Sequence, residues 1–173
     1  MPLTGGRYAG PLYRALNPVY ARAPLSGAGA ERYGGRFNPV GIPTLYTALT
    51  PATALREANQ VGDLQPTLLV AYRADLGPVF DSRDTDALAA HNMTPEVLAD
   101  PGWRAAMLAG DTVATQAFAR ALIANGYAGL LVRSYARGLG ARDLNLVLWR
   151  WTGPDTTLEV IDDDNRLGRM PPP

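Results

Sequence analysis

β-rich runs and helical segments alternate along this chain without the regular spacing that parallel βαβ units require. The candidate strands are short, and stretches rich in glycine, proline and alanine separate them. This irregular alternation predicts an α+β fold, a compact single domain in which helices flank a mixed or mostly antiparallel sheet. A length of 173 residues suits one domain over 1–173 with a substantial core, and no internal repeat is visible.

The predicted strands are runs of β-branched, aromatic and other apolar residues bounded by turn residues. A loop is expected over 17–29, where proline, serine, glycine and alanine dominate. A short run at 78–80 is expected to extend the sheet after a turn. The six main candidates are 12–16, 44–48, 67–74, 128–132, 145–151 and 157–161.

Helix signals are clearest in the first and last thirds of the chain. Thr50 is the expected N-cap of a helix that opens with a proline and covers 51 to about 61. Short, broken helices are predicted over 84–110. Asp111 is expected to cap an amphipathic helix that Asn125 and the following glycine close. The proline-rich end, from about 163 to 173, is predicted to be a flexible tail.

Composition removes several classes of chemistry. All 16 basic residues are arginine and cysteine is absent, which excludes Schiff-base lysines, thiol catalysis and thiolate metal sites. His91, the single histidine, is expected to be exposed, and it lacks a nearby nucleophile-elbow motif. The acidic run 162–164 is interpreted as solvated, so no metal site is predicted.

Charge and hydropathy also limit the partners. The formal net charge is zero, which gives little electrostatic support for nucleic-acid binding by the chain itself. No stretch has the apolar length of a membrane span, and the first six residues do not resemble a signal peptide. We therefore expect a cytoplasmic protein without membrane contact.

A glycine turn precedes three chemically distinct side chains. Gly34 and Gly35 allow the backbone to approach a ligand closely, and Arg36 can aim its planar guanidinium at a pyrophosphate. Tyr46 can stack on a nicotinamide or adenine ring, and Glu57 can bind a ribose hydroxyl and stabilise an oxocarbenium-like transition state. The order predicts a pocket for NAD. Taken singly, each residue also fits a structural role: a hairpin turn, a core aromatic, a solvated helix face.

Two later residues are candidates for the same pocket. Ser134 follows a buried-looking strand, so its hydroxyl is expected to emerge at the strand end, where a turn-capping role is the structural alternative. Asn145 opens the next strand and is a supporting candidate for ligand binding. A glycine pair at 27 and 29 does not make a dinucleotide fingerprint, because Arg32 stands where the third glycine is needed.

Together these residues resemble the RES domain family, named for its arginine, glutamate and serine. The family motif often has tryptophan after its arginine, whereas Phe37 stands here. The resemblance implies an ADP-ribosyltransferase-like fold and the toxin of a bacterial RES-Xre type toxin–antitoxin pair. The matching segments are 12–14, 34–41, 45–46, 54–57 and 145–148, together with Ser134.

The resemblance further implies roles for the matching residues. Arg36 would hold the phosphates, Tyr46 would pack on the nicotinamide or its ribose, and Glu57 would be the catalytic carboxylate. Ser134 would orient the nicotinamide end. The second-rank candidates for the phosphates are Arg14, Arg32 and Tyr33.

By the same resemblance, NAD is the substrate, no metal is needed, and the nicotinamide–ribose bond is broken. Water, inorganic phosphate or a side chain of a target protein then accepts the ADP-ribose, and the residues do not choose among them. A cognate antitoxin that blocks the pocket is the expected partner. Two alternatives remain: a catalytically inactive module that binds a nucleotide or a partner, and a hydrolase for another nucleotide.

Overall fold

The computed structural model describes residues 3–60 and 65–169. In this part of the chain eight strands form one sheet: β1 Tyr8–Leu16, β2 Leu45–Ala48, β3 Leu68–Leu76, β4 Val79–Asp81, β5 Gly129–Arg133, β6 Leu144–Leu148, β7 Thr152–Gly153 and β8 Thr156–Val160. Their order across the sheet is β4, β5, β6, β2, β1, β3, β8, β7. Among the described strands only the β4–β5 pair is parallel, so the sheet is mixed.

Helices accompany the sheet, as the sequence predicts. Short helices occupy the 84–110 region, and a longer one follows it. Two 3₁₀ turns, Pro18–Tyr20 and Leu167–Arg169, lie near the two ends of the described chain. The α+β fold class is confirmed. The helices are α1 Ala28–Tyr33, α2 Pro51–Ala58, α3 Thr85–Ala89, α4 Pro95–Ala99, α5 Trp103–Ala109 and α6 Ala114–Ala124.

Several predicted boundaries differ from the structure for identifiable reasons. β1 starts at Tyr8 because it pairs with β3 along its whole length. The predicted loop over 17–29 contains a 3₁₀ turn and the start of α1. α2 ends at Ala58, and Val61, its expected end, lies outside the described residues. β6 ends at Leu148, because the next two backbone N–H groups turn to the carbonyl of Ala128.

Two residue-level predictions were wrong. Asp111 does not cap α6: its backbone N–H donates to the carbonyl of Ala106 at 2.9 Å, so it closes α5, and Val113 stands at the N-cap of α6. His91 is half-buried, with its ring edge-on to Phe80 and Phe118 at centroid distances of 5.4 and 5.5 Å. His91 is half-buried because it packs against these two aromatic rings, a contact that no local sequence pattern predicts.

Alternating side chains give the sheet two buried faces. The first face carries Leu12, Tyr72 and Leu146 and forms one hydrophobic cluster. The second face carries Leu130 and Val147 and forms another. Helices α3, α4 and α6 cover part of the second face through Leu88, Leu98, Phe118 and Leu122.

The buried tyrosines of the first face make stability depend on pH. Burial raises the pKa of Tyr8 and of Tyr72 to about 12, above a value of about 10 in the unfolded chain. A raised acid pKa means that the folded state keeps its proton while the unfolded state loses it. Stability is therefore expected to be complete below pH 10 and to fall between about pH 10 and pH 12.

Tyrosinate absorbance and circular dichroism, recorded together along an alkaline titration, would check this expectation. The absorbance of the buried tyrosines is expected to appear only as the fold is lost. In the Tyr8→Phe, Tyr72→Phe double variant the alkaline loss of stability should be shallower. Early ionisation of these side chains inside an intact fold would contradict the expectation.

Candidate active site

A cavity of about 1090 Å³ opens on the second face of the sheet. Its floor is a row of residues paired across four strands, with Tyr13 opposite Ala48, Ala48 opposite Asn145, and Asn145 opposite Val132. Its walls come from α2, the 34–37 turn, the start of α5 and the connection after β5. The volume is slightly above the usual range for small-molecule sites, about 300–1,000 Å³, and is sufficient for a dinucleotide.

Glu57 lies on α2 and lines this cavity with its carboxylate. Its Oε1 accepts hydrogen bonds from the Ser134 hydroxyl and the Asn145 amide, and its Oε2 accepts one from the Gln60 amide. A carboxylate offers about four acceptor positions, so one remains for a ligand. The structure thus brings Glu57, Ser134 and Asn145 together, with Glu57 and Asn145 lining the cavity and Ser134 buried beside it.

The ends of two adjacent strands supply the donors on Oε1. Ser134 follows β5 directly and is 2 % exposed, and its backbone N–H donates to the carbonyl of Asp143 at 2.7 Å. Asn145 lies on β6, and its Oδ1 is buried without a hydrogen-bond partner among the described residues. Since a carboxylate only accepts, the amide nitrogen of Asn145 must face Glu57, and the orphaned oxygen is a cost of that orientation.

The 35–38 turn carries Arg36 and is held by side chains from α6 and from the residue that follows β6. Gly35 and Asn38 pair as an isolated bridge across the turn. Each of the first three carbonyls of the turn accepts one side-chain donor. Gln116 donates to Gly35 at 2.8 Å, Thr115 to Arg36 at 2.6 Å, and Trp149 to Phe37 at 2.9 Å.

The guanidinium of Arg36 reaches across the cavity wall to the α4–α5 connection. Its Nη1 donates to the carbonyls of Leu98 and Asp100, both at 2.9 Å. The cation also lies over the rings of Tyr135 at 4.7 Å and Trp103 at 5.7 Å. Burial lowers the pKa of Arg36, and Tyr135 and Glu57 act in the opposite direction. Within residues 3–60 and 65–169, Nε and Nη2 make no hydrogen bond and are available to an anion.

Tyr46 links the turn to the sheet. Its hydroxyl donates to Asn38 Oδ1 at 2.7 Å and accepts from the Phe37 backbone N–H at 3.1 Å, while its ring lines the cavity. Burial raises the pKa of Tyr46, so the hydroxyl stays protonated as a donor. The predicted ring position is compatible with this geometry, and the hydroxyl supports the turn.

The second-rank phosphate candidates lie elsewhere. Arg32 and Tyr33 end α1, where both are exposed and outside the cavity lining. The Arg32 guanidinium carbon lies 5.3 Å from the centroid of the Tyr33 ring. Arg14 borders the cavity, but its Nη1 donates to the carbonyls of Pro24 and Ser26, both at 3.1 Å.

Among the cavity residues that were not anticipated from the sequence, five have large polar or aromatic side chains that could contact a ligand. Gln60, three positions after Glu57, had the one usable signal, since residues three apart share a helix face. The others come from a stretch with no recognisable motif and from the β5–β6 loop. They are Trp103, Arg104, Tyr135 and Arg137.

The described part of the chain contains no group of three or more histidine, cysteine, aspartate or glutamate side chains placed to hold a metal ion. No helix within 3–60 or 65–169 is long and apolar enough to cross a membrane.

A mixed sheet with a large cavity on its second face, lined by a hydrogen-bonded glutamate from α2 and an arginine from the 35–38 turn, defines a single-domain α+β protein. The chain belongs to the RES domain family, whose model matches residues 11–169. Of the three residues that carry the family resemblance, Arg36 and Glu57 line the cavity, and Ser134 is buried with its hydroxyl on Glu57.

Two similar proteins support the assignment. A stretch of 53 residues is 40% identical to the Toxin Res of Photorhabdus laumondii subsp. laumondii, and it covers 30% of this chain and 34% of that toxin. The match thus spans about a third of the relative. The fold resembles that in the crystal structure of the M. tuberculosis MbcT–MbcA toxin–antitoxin complex, with a TM-score of 0.62 and 22% identity over 90% of this chain and 83% of that one.

Proposed function

We propose that this protein cleaves the nicotinamide–ribose bond of NAD and passes the ADP-ribose to an acceptor. One observation carries the proposal: the Glu57 carboxylate, oriented by Ser134, Asn145 and Gln60, faces a cavity of about 1090 Å³. A fixed negative charge in such a site stabilises the positive charge that develops when a glycosidic bond breaks.

The reaction needs no redox partner. The bond between the ribose anomeric carbon and the pyridinium nitrogen breaks, and its electron pair neutralises the nicotinamide ring. The ribose is left with oxocarbenium character, which Glu57 stabilises while its free acceptor position holds a ribose hydroxyl. The acceptor then forms a bond to the anomeric carbon and loses its proton.

The arginines at the cavity supply an anion site. Arg36 has Nε and Nη2 available, and Arg104 and Arg137 line the same cavity without a carboxylate partner among the described residues. Two phosphates bound by these guanidinium groups would place the diphosphate of NAD across the site from Glu57. The Tyr46, Trp103 and Tyr135 rings offer faces on which a nicotinamide or adenine ring can stack.

We infer that the biological role is that of a toxin, acting in the cytoplasm and silenced by a cognate antitoxin. Family membership supports this role, as do the sequence likeness to a Toxin Res and the fold likeness to a protein of a toxin–antitoxin complex. A protein that consumes NAD would damage its own cell, so a partner that blocks the cavity is part of the proposal.

NMR of NAD incubated with the purified protein tests the reaction. Release of nicotinamide from NAD is expected without added metal. Turnover of NAD is expected to be faster than turnover of NADH or of ATP. Parallel samples with and without phosphate separate ADP-ribose from its phosphorylated form, and hence water from phosphate as acceptor. Nicotinamide release that requires cell extract would identify a protein acceptor.

The control is the same sample with an equal amount of heat-unfolded protein. Intact NAD in every condition, from protein whose circular dichroism shows a folded state, would overturn the proposal. That outcome would favour the alternative, a binding module without turnover.

A further inference from the structure

The glutamate and its two strand-borne donors come from elements that do not pack on each other closely. α2 packs against β1, β2 and β3, whereas Ser134 and Asn145 belong to the β5–β6 side of the site. The β2–β6 pairing of Ala48 with Asn145 ties the start of α2 to β6, and a further contact is needed to hold the rest of the helix against these donors.

A side-chain hydrogen bond spans this gap. Thr53, on α2, is 0 % exposed, and its hydroxyl donates to Asp143 Oδ1 at 3.0 Å. Asp143 immediately precedes β6 and therefore lies two residues before Asn145. One bond thus joins the first half of α2 to the strand that carries a donor of Glu57.

The same aspartate organises the end of β5. Its backbone carbonyl accepts the N–H of Ser134 at 2.7 Å, and its Oδ2 accepts the N–H of Gly140 at 2.8 Å. The β5–β6 loop is thereby closed on Asp143. Asp143 is thus hydrogen-bonded to Ser134 and to α2, and it lies two residues before Asn145.

Helix geometry carries the effect to the carboxylate. Thr53 and Glu57 are four residues apart, so they share one face of α2. A bond that holds Thr53 against Asp143 therefore also holds Glu57 towards Ser134 and Asn145, one turn further along.

We propose that Thr53 and Asp143 are positioning residues that hold the Glu57 carboxylate against its donors. Their effect on turnover rests on the proposed cleavage of NAD, while their effect on the geometry does not. Neither residue lines the cavity, so they affect substrate binding only through the one ribose hydroxyl assigned to Glu57. Loss of the bond should therefore lower kcat far more than it changes KM for NAD.

The kinetic test compares Thr53→Val, which keeps the shape and removes the hydroxyl, with Thr53→Ser, which keeps the hydroxyl. We expect kcat for nicotinamide release to fall about 10-fold or more in Thr53→Val, because small displacements of a catalytic group have large effects on rate. Thr53→Ser should stay within about twofold of the original protein. Unchanged kcat in Thr53→Val, or a loss that Thr53→Ser does not rescue, would overturn the proposal.

A matched control is Thr156→Val. Thr156 is 1 % exposed and its hydroxyl bonds the carbonyl of Gly77, but it lies on β8, away from the cavity. It reports what the loss of a buried hydroxyl does to this protein in general. The kcat of Thr156→Val is expected to be unchanged. A fall equal to that of Thr53→Val would contradict a specific positioning role for Thr53.

An NMR readout tests the geometry without turnover. The Asn145 side-chain amide proton that is donated to Glu57 should exchange slowly with solvent. In Thr53→Val this exchange should be faster, and in Thr156→Val it should be unchanged. Asp143→Asn, with one acceptor oxygen, provides a second variant if Thr53→Val does not fold.

The two proposals can fail separately. If the unaltered protein releases no nicotinamide, the proposed function is wrong, and the amide exchange alone tests the positioning role of Thr53 and Asp143. If nicotinamide is released but the Asn145 amide proton exchanges at the same rate in all variants, the positioning role is wrong and the proposed function stands.

Discussion

Glu57→Gln is expected to lower the rate of nicotinamide release by at least about 100-fold, the typical loss when one electrostatic contact to a transition state is removed. Glutamine keeps the shape and can keep one oxygen towards Ser134 and Asn145, while its amide meets the side chain of Gln60. What it removes is the negative charge opposite the developing oxocarbenium ion. Because position is retained, KM for NAD should change far less than kcat.

Glu159→Gln is the matched control, since Glu159 is an exposed glutamate on β8 outside the cavity. Nicotinamide release, thermal unfolding and growth of a bacterial host after induced expression would be measured for both variants and the original protein. Glu57→Gln should be folded, inactive and harmless to growth, and Glu159→Gln should behave as the original. Growth arrest by a folded Glu57→Gln protein would argue for the binding-module alternative.

The parts of the site that the sequence predicts are those with local signals. The glycine pair before Arg36 marks a turn, and Thr50 followed by proline marks the start of α2, which carries Glu57. Ser134 and Asn145 were located from motif positions at the ends of predicted strands. The end of β5 and the start of the antiparallel β6 meet at one edge of the sheet, whereas it is the family resemblance that groups these two residues with Glu57, near the end of α2.

The rest of the site depends on tertiary contacts that have no local pattern. Trp103 and Tyr135 bracket Arg36 only because the α4–α5 connection and the β5–β6 loop fold to the same side of the sheet. Thr115, Gln116 and Trp149 hold the arginine turn, although the sequence marks them only as helix or strand residues.

The misassigned cap shows the same limit at shorter range. Asp111 has the residue type of an N-cap, but the chain enters α6 two residues later because Gly110 first ends α5 in the left-handed conformation, with φ of 80°. The preference of aspartate for helix ends places Asp111 correctly between two helices. The backbone geometry makes it part of the end of α5 and not the start of α6.

Gly35→Ala is expected to destabilise the protein by about 2 kcal/mol or more and to disable the site. The φ of Gly35 lies outside the left-handed region, so the penalty is steric. An added Cβ would lie 2.5 Å from the Tyr46 hydroxyl oxygen and 2.7 Å from Asn38 Oδ1. Both atoms belong to the hydrogen bonds that hold the turn, so relief of the clash must break one of them and displace Arg36.

Thermal unfolding would show the loss as a fall in Tm of about 4–8 °C for a chain of this size. Gly29→Ala is the matched control: no atom lies within 4 Å of its added Cβ, and the residue is within α1, so alanine should raise stability by up to about 1 kcal/mol. The opposite signs of two identical substitutions six residues apart separate crowding at the turn from a general intolerance of alanine. Equal effects at both positions would mean that the close packing of Tyr46 against the glycine does not hold the turn that presents Arg36.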